Sequence, residues 1–352
     1  MIKTVIIGIL SPMRRTILAL LCLSLTLTAC ARPGVRDPIR GSEYVLGTIC
    51  TISLQDGGSE AALQAVFARL KEIEALMSAN REGTQVAAVN EAAGRSPVRV
   101  SPDTFFVVKK ALEYARISKG AFDPTIGPVV KLWNIGLEGE RIPEDREIRE
   151  TLPLVDWSSV VVDERASTVF LPRAGMRLDL GAIAKGYAAD ETARILGERK
   201  VRAAVVDLGG NVLVFGKKTD GTLWRVGVQN PFDDRGSYLG IVSMGAGTVV
   251  TSGVYERFFE REGKRYHHIL DTRTGRPVES EIVSVTVIAP SSIAADALST
   301  TLFALGRERG LALLKTLPGV EAIFVDDRRR LYLSPGASKI FNLTDKAFTF
   351  AE

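Results

Sequence analysis

The segment Ala295-Asp296-Ala297-Leu298-Ser299-Thr300 places one carboxylate and two hydroxyls within a few residues of each other. In a helix, Asp296 and Thr300 are four apart and share a face, with Ser299 beside them. A carboxylate, a hydroxyl and a backbone carbonyl together suit Mg²⁺, which keeps waters and lets substrate phosphates complete its octahedron. The same residues also describe an acidic first turn with a back-bonding threonine. A second segment, Arg177-Leu178-Asp179-Leu180-Gly181-Ala182-Ile183-Ala184-Lys185-Gly186, reads as a short strand running into a helix start. Free N–H groups of a first helical turn favour anions. Lys185 in that turn opposes the helix dipole unless it meets a negative partner, and a phosphate is one. A solvated lysine beside a packing glycine is the plainer alternative. His267 and His268 are the only histidines. Strand alternation sends them to opposite faces, so at most one faces a site, where a neutral imidazole can accept a proton. Gly120-Ala121-Phe122-Asp123-Pro124-Thr125 is a helix stop followed by an aromatic–acid pair, in which Phe122 reads first as core.

Other chemistries lose their support. The chain has no GxxxxGK[ST], no GxSxG and no HExxH. Asp207-Leu208-Gly209-Gly210-Asn211 and Gly245-Ala246-Gly247 each follow a strand pattern, yet neither completes GxGxxG before a helix. Two adjacent histidines and three cysteines argue against a metal centre built mainly from His or Cys, so a metal here is expected to be oxygen-bound. Of the 45 basic residues, Lys3, Arg14 and Arg15 lie in the first 30 positions with no acid among them. The remaining chain is therefore within one charge of neutral and carries no footprint for nucleic acid.

The elements that must position these groups follow from hydropathy and punctuation. Residues 44–54 read as a strand, and Ser59 caps a helix whose stripe is Leu63, Val66, Phe67, Leu70, Ile73 and Met77. Ser101-Pro102 opens a second helix that stops at Gly120. Residues 160–162 and 168–171 read as a hairpin, 182–196 as a helix, and 203–206, 212–215, 223–228, 248–252, 266–270 and 282–288 as strands. A helix opens at Ser291-Ser292 and reaches Gly306, another spans 308–317, and strands close the chain at 322–325 and 331–333. Many strands are joined by short turns without a crossover helix. That predicts an α+β fold of mixed, largely antiparallel sheets with packed helices, in one catalytic unit. At 46% hydrophobic and 24% charged, 352 residues suffice for such a core.

The N-terminus carries an address. Arg14-Arg15, the apolar run 17–27 and Thr28-Ala29-Cys30 have the charge, length and small residues of a secretory signal, too short to span a bilayer. Leu27-Thr28-Ala29-Cys30 resembles the bacterial lipobox, which implies a signal peptide over 1–29, lipid on Cys30 and an exported, membrane-anchored protein facing the periplasm or the outside. Residues 30–42 then read as a tether, and 43–352 as the catalytic domain. With Cys22 in the signal and Cys30 lipidated, Cys50 stands alone and no internal disulfide is expected.

Taken together, eight stretches in order resemble the ApbE family of FAD:protein FMN transferases. They are Leu46-Gly47-Thr48, Leu76-Met77-Ser78, Gly120 to Thr125, Leu178 to Gly186, Asp207 to Asn211, Thr251-Ser252-Gly253, His268-Ile269-Leu270-Asp271 and Ala295 to Thr300. The resemblance implies an α+β fold, FAD as substrate and Mg²⁺ as cofactor. FMN would pass from FAD to a threonine hydroxyl of a flavoprotein, with AMP leaving. Asp296 and Thr300 would be metal ligands together with the carbonyl of Ala182. Leu46, Asn80, Ala121, Phe122, Asp123, Asp179, Lys185 and Leu270 would contact FAD. Its usual acceptors are subunits of Na⁺-translocating NADH:quinone oxidoreductases and the related Rnf complexes. Asn80 stands where many members carry an aromatic, Leu46 where Met is usual, Thr272 where Pro is usual and Val254 where Asp is usual. The resemblance fits the chemistry read from the residues: charge neutralisation and positioning around a pyrophosphate, with His268, or Asp296, taking the threonine proton. An FAD pyrophosphatase, in which water replaces threonine, and a flavin-carrying lipoprotein without activity are the rival readings.

Overall fold

The computed structural model describes residues 37–351, so the signal, Cys30 and most of the tether lie outside the described residues. Strands β1 (Ile39–Val45) and β2 (Thr48–Asp56) form a hairpin where the sequence suggested one strand. The chain reverses at Leu46 and Gly47, whose φ values of 57° and 70° suit a tight two-residue turn, and leucine conceals that turn from a composition-based reading. Residues 39–42, polar enough to pass for tether, already pair with β2 because their side chains alternate between the core and an open face.

Helix α1 (Glu60–Met77) follows with Ser59 Oγ accepting from the Ala62 N–H at 3.1 Å, and its expected stripe is buried. Helix α2 (Gln85–Glu91) went unread because seven residues give too little periodicity. Strand β3 (Val98–Arg99) leads to α3 (Pro102–Ile117), capped by Ser101 and stopped before Gly120 at φ 83°. Two further short helices, α4 (Gly127–Trp133) and α5 (Asp145–Thr151), were also missed. Strands β4 (Val161–Asp163) and β5 (Thr168–Phe170) join β3 in a small sheet. Helix α6 (Ala184–Glu198) precedes β6 (Ala203–Leu208), β7 (Asn211–Gly216), β8 (Trp224–Gln229), β9 (Tyr238–Met244) and β10 (Gly247–Gly253). The glycine-bearing β9 shows no apolar alternation and was not anticipated. A hairpin of β11 (Phe258–Arg261) and β12 (Lys264–His267) leads to β13 (Ile282–Ala289) and to α7 (Ser292–Leu314), which Gly306 breaks at φ 72°, ψ 178° as expected from the sequence. The chain ends in β14 (Glu321–Asp326), β15 (Arg330–Leu333), α8 (Ala337–Ile340), β16 (Phe341–Leu343) and β17 (Thr349–Phe350).

Among the described residues, the largest sheet has the order β1-β2-β6-β7-β10-β13-β14-β15-β17, and every pair except β15–β17 is antiparallel. The α+β, largely antiparallel expectation holds. One face packs α1, α3, α6 and α7 through residues such as Ile52, Val206, Val250 and Val287. The opposite face meets the β8-β9-β16 sheet through Val214, Val249, Ile323 and Phe341. Buried on both sides, the central strands give a rigid platform. The turns at 46–47 and 209–210 and the end of β10 lie at one end of that sheet, and Gly209 has no side chain because Thr48 occupies its place.

Candidate active site

At that end of the sheet α6 and α7 cross in close contact, and the crossing builds the site. Gly186 stands at the closest point. A Cβ there would press on the Ser292 carbonyl oxygen and lie 2.7 Å from both Asp296 Cβ and Ile293 Cα. Each helix caps the other. Asp296 Oδ2, on α7, accepts from the Gly186 N–H of α6 at 2.7 Å. Asp190, on α6, accepts from the N–H groups of Ser292 at 2.8 Å and Ile293 at 3.0 Å and from Ser291 Oγ at 3.1 Å. Neither helix start has a side-chain cap from its own N-cap residue, so these acids satisfy donors that would otherwise be orphaned.

Asp296 is 5% exposed. Burial pushes its carboxyl above the usual carboxylate range, against the pull of the Lys185 charge, the Gly186 N–H and the Asn211 amide. Gly186 has turned its N–H to Asp296, and among the described residues the Ala182 carbonyl accepts no hydrogen bond. Thr300 is half-buried, with its hydroxyl 3.4 Å from Ser252 Oγ, which in turn lies 2.8 Å from Ser299 Oγ. These donors are all oxygen: a carboxylate, hydroxyls and a carbonyl. Among the described residues no group of three or more His, Cys, Asp or Glu side chains is close enough to hold a metal. Asn211 Nδ2, buried beside Asp296, acts on its carboxyl without completing a hydrogen bond, and the oxygen set fits a hard cation.

Lys185 lies in the first turn of α6, near enough for its charge to act on Asp296, His268 and Cys50. Its charge and the Asp296 carboxyl act on each other across the helix crossing, and the two form no ion pair among the described residues. His268 Nδ1 sits 3.2 Å from the Arg257 carbonyl; as donor there it leaves Nε2 free to accept a proton. Burial, with help from the Arg257 charge, pushes its pKa down to about 3, so the ring is neutral at pH 7. His267 turns the other way, buried against Phe303 and bonded through Nε2 to the Val278 carbonyl at 3.0 Å. Cys50 is an inert core thiol, pushed up to about 12 by burial.

The remaining candidates are spread over several settings. Ala121 borders a cavity of about 330 Å³ that Lys119, Asp271, Arg273, Leu305 and Arg309 also line. Leu270, beside Asp271, is buried against Trp133 and faces the core with its side chain. Asp179 accepts from the Gly181 N–H at 2.7 Å, and its own N–H donates to the Pro124 carbonyl at 2.8 Å, which joins this segment to residues 121–125. Asp123 is committed internally: it accepts from Thr125 N–H, Thr125 Oγ1 and the Trp157 N–H, and burial raises its pKa. Phe122 is 4% exposed in the main core and offers no open ring face. Asn80 is exposed past the end of α1, where its N–H donates to Ser78 Oγ, and Leu46 sits at the tip of the first hairpin.

Sequence reasoning passed over several positioning groups. Asn90 grips Leu178 like a neighbouring strand, donating to its carbonyl at 3.0 Å and accepting from its N–H at 2.6 Å. Thr272 donates to the Gly120 carbonyl at 2.7 Å, which gives its departure from proline a purpose. Asp190 and Ser252 were visible only as a helix acid and a motif serine. Val254 donates its N–H to the Val283 carbonyl, and nothing in the structure explains the choice of valine.

Residues 46–324 match the profile of the ApbE family. The chain belongs to that family. It is 42% identical over 289 residues to an FAD:protein FMN transferase of Klebsiella pneumoniae, covering 82% of this chain and 90% of that one. A counterpart in Treponema pallidum is 39% identical over 347 residues, 94% and 96% of the two chains. Among solved structures, the ApbE protein of Thermotoga maritima superposes with a TM-score of 0.80 at 31% identity, covering 86% of this chain and 99% of that one. The flavin transferase ApbE of Vibrio cholerae gives 0.77 at 28% identity, with the same coverage.

Proposed function

We propose that this protein is an Mg²⁺-dependent FAD:protein FMN transferase that joins FMN to a threonine hydroxyl of an acceptor flavoprotein and releases AMP. The observation that carries the reading is the buried Asp296 carboxylate, held by Gly186 with Lys185 beside it and the Ala182 carbonyl and Thr300 hydroxyl as further oxygen donors. In the reaction, the threonine oxygen attacks the phosphorus on the FMN side of the pyrophosphate. A phosphoester forms, the anhydride bond breaks, and AMP leaves with the electron pair. Mg²⁺, held by Asp296, Thr300 and Ala182, would offset the charge developing on the leaving phosphate. His268 Nε2 accepts the threonine proton, its low basicity rising when the pyrophosphate charge enters. Lys185 holds the anion at the α6 start. The cavity beside Ala121 supports a reading in which the flavin dinucleotide reaches past Asp271.

Residues 1–29 are read as a signal peptide, Cys30 as the lipidated mature N-terminus, 30–42 as the tether, whose last residues run into β1, and 43–352 as the transferase domain. The protein would then face the periplasm or the outside, where its acceptors are exported or membrane flavoprotein subunits of the Na⁺-translocating NADH:quinone oxidoreductase or Rnf type. The experiment is incubation with FAD, Mg²⁺ and such a subunit, followed by intact mass and AMP assay. Gain of one FMN with stoichiometric AMP supports transfer. FMN and AMP without mass gain marks a pyrophosphatase, and FAD binding without AMP marks a carrier. Asp296→Ala should lose at least about 10²-fold in rate while remaining folded. Thr300→Ala should lose less, since water replaces a neutral oxygen ligand.

A further inference from the structure

Ser292, in the first turn of α7, has one hydroxyl proton and two oxygen atoms in reach: Asn211 Oδ1 at 2.7 Å and Thr248 Oγ1 at 3.2 Å. Thr248 donates its own proton to the Val212 carbonyl, 2.9 Å away. Ser292 donates to Asn211 Oδ1, and Asn211 Nδ2 is buried facing Asp296, near enough to act on its carboxyl yet in no full hydrogen bond. The residue is 1% exposed, so no solvent relieves that atom. Turning the amide over removes the defect. Nδ2 then donates one proton to Ser292 Oγ, Ser292 donates to Thr248 Oγ1 and Thr248 to the Val212 carbonyl.

The turned amide has one cost, which falls on the side of Asp296. The Asn211 side chain faces that carboxyl. With Nδ2 toward it, a donor faces an acid; with Oδ1 toward it, two electron-rich oxygens face each other in a buried setting. A bare carboxylate therefore favours the orphaned arrangement, and a cation between the oxygens reverses the preference.

We propose that Asn211 is a positioning residue for a divalent cation at Asp296: its amide presents N–H to the bare carboxylate and turns over to present its carbonyl oxygen when the cation binds. This rests on the Mg²⁺ reading above. The amide thereby links cation binding to the Ser292–Thr248 chain and so to the seating of α7 on β10. Neither Asp296 nor the metal alone specifies that link.

The test uses Mn²⁺ as an EPR-visible probe on the FAD-free protein, with thermal melts in parallel. Asn211→Leu removes the orphan and leaves Ser292 free to donate to Thr248. Mn²⁺ should bind this variant about 10–100-fold more weakly, the usual toll for losing a group that orients a metal ligand, with its cation-free melt as the folding control. Asn211→Asp places oxygen on both sides. Its cation-free form should melt lower than the natural protein, and Mn²⁺ should raise its melting temperature by more. Mn²⁺ affinity unchanged in Asn211→Leu, or lost in Asn211→Asp, overturns the proposal. Should the leucine variant fail to fold, the aspartate variant decides. Asp296→Ala separates the two levels: retained Mn²⁺ binding there removes the cation site itself, whereas its loss confines any failure to Asn211.

Discussion

Gly186→Ala asks whether the helix crossing builds the site. On helix propensity alone, alanine gains about 1 kcal/mol over glycine. Against that, the new methyl would press on the Ser292 carbonyl oxygen and lie 2.7 Å from Asp296 Cβ and Ile293 Cα. Comfortable carbon contacts begin near about 3.5 Å, so α7 must retreat by roughly 0.8 Å, and every atom in the way is main chain or Cβ with no rotamer to escape into. Overpacking costs about 1–3 kcal/mol, with this backbone-on-backbone case at the upper end. The retreat also breaks the 2.7 Å bond from Gly186 to Asp296. A hydrogen bond to a charged group adds about 1.5–3 kcal/mol. The net loss is about 3–5 kcal/mol, which for a body this size lowers the melting temperature by about 4–8 °C. A displacement near 1 Å at the reacting centre should also cost about 10²-fold in turnover. The assay is a thermal melt beside AMP release at saturating Mg²⁺ and FAD. An alanine variant with the natural melting temperature and natural AMP release would refute the argument that these helices touch through Gly186.

Asp190→Ala should lower the melting temperature by removing the acceptor for Ser292 and Ile293, a loss of about 0.5–2 kcal/mol, with Asp190→Asn recovering part of it. Equal melting temperatures for all three proteins would dismiss the cap. Asn90→Ala leaves both backbone groups of Leu178 unpaired, so the urea midpoint should fall by the equivalent of about 2–4 kcal/mol; a change below about 1 kcal/mol would mean that water serves equally well. Both imidazoles are held neutral in the fold but protonate freely below about pH 6.5 when unfolded, so their share of stability drains away as pH falls below 6.5, for His268 down to about 3. His268→Gln should flatten that decline in melts taken across pH, and an identical slope would contradict the burial assigned to it. Cys30→Ser should release the protein from membranes in soluble form with its flavin chemistry intact; retention after a high-salt wash would place the anchor elsewhere.

The sequence made the helices with caps and long stripes readable, as Ser59 and Ser101-Pro102 illustrate, because their signals are local. The first hairpin was obscured since its turn uses Leu46 at positive φ, a conformation that composition does not announce. The seven-residue helices and β9 lacked enough periodicity to register. In the site, Asp296, Thr300 and Lys185 could be singled out by type and spacing, and a lysine opposing its own helix dipole pointed to an anion. What spacing could not supply was that the Asp296 carboxyl comes to the start of that helix, where it accepts from Gly186, 110 positions away. Phe122 and Asp123 carry the motif yet spend their side chains on the core and on the 123–125 turn. Asn90 and Asp190 act on backbone, and Asn211 on the Ser292 hydroxyl, far along the chain, and such partnerships exist only after folding.

The reciprocal capping also sets an order of events. Gly186 and Asp296 are 110 residues apart, and Asp190 and Ser292 are 102 apart, so neither helix start is satisfied until most of the chain is available. Contacts of that span are slow to close. A polypeptide cut short before residue 296 therefore has an α6 start whose Gly186 N–H lacks its acceptor and whose Lys185 lacks the Asp296 charge beside it. The site matures last. Amide exchange should register this as a single event: the N–H groups of Gly186, Ser292 and Ile293, scattered in sequence, gain protection together and lose it together.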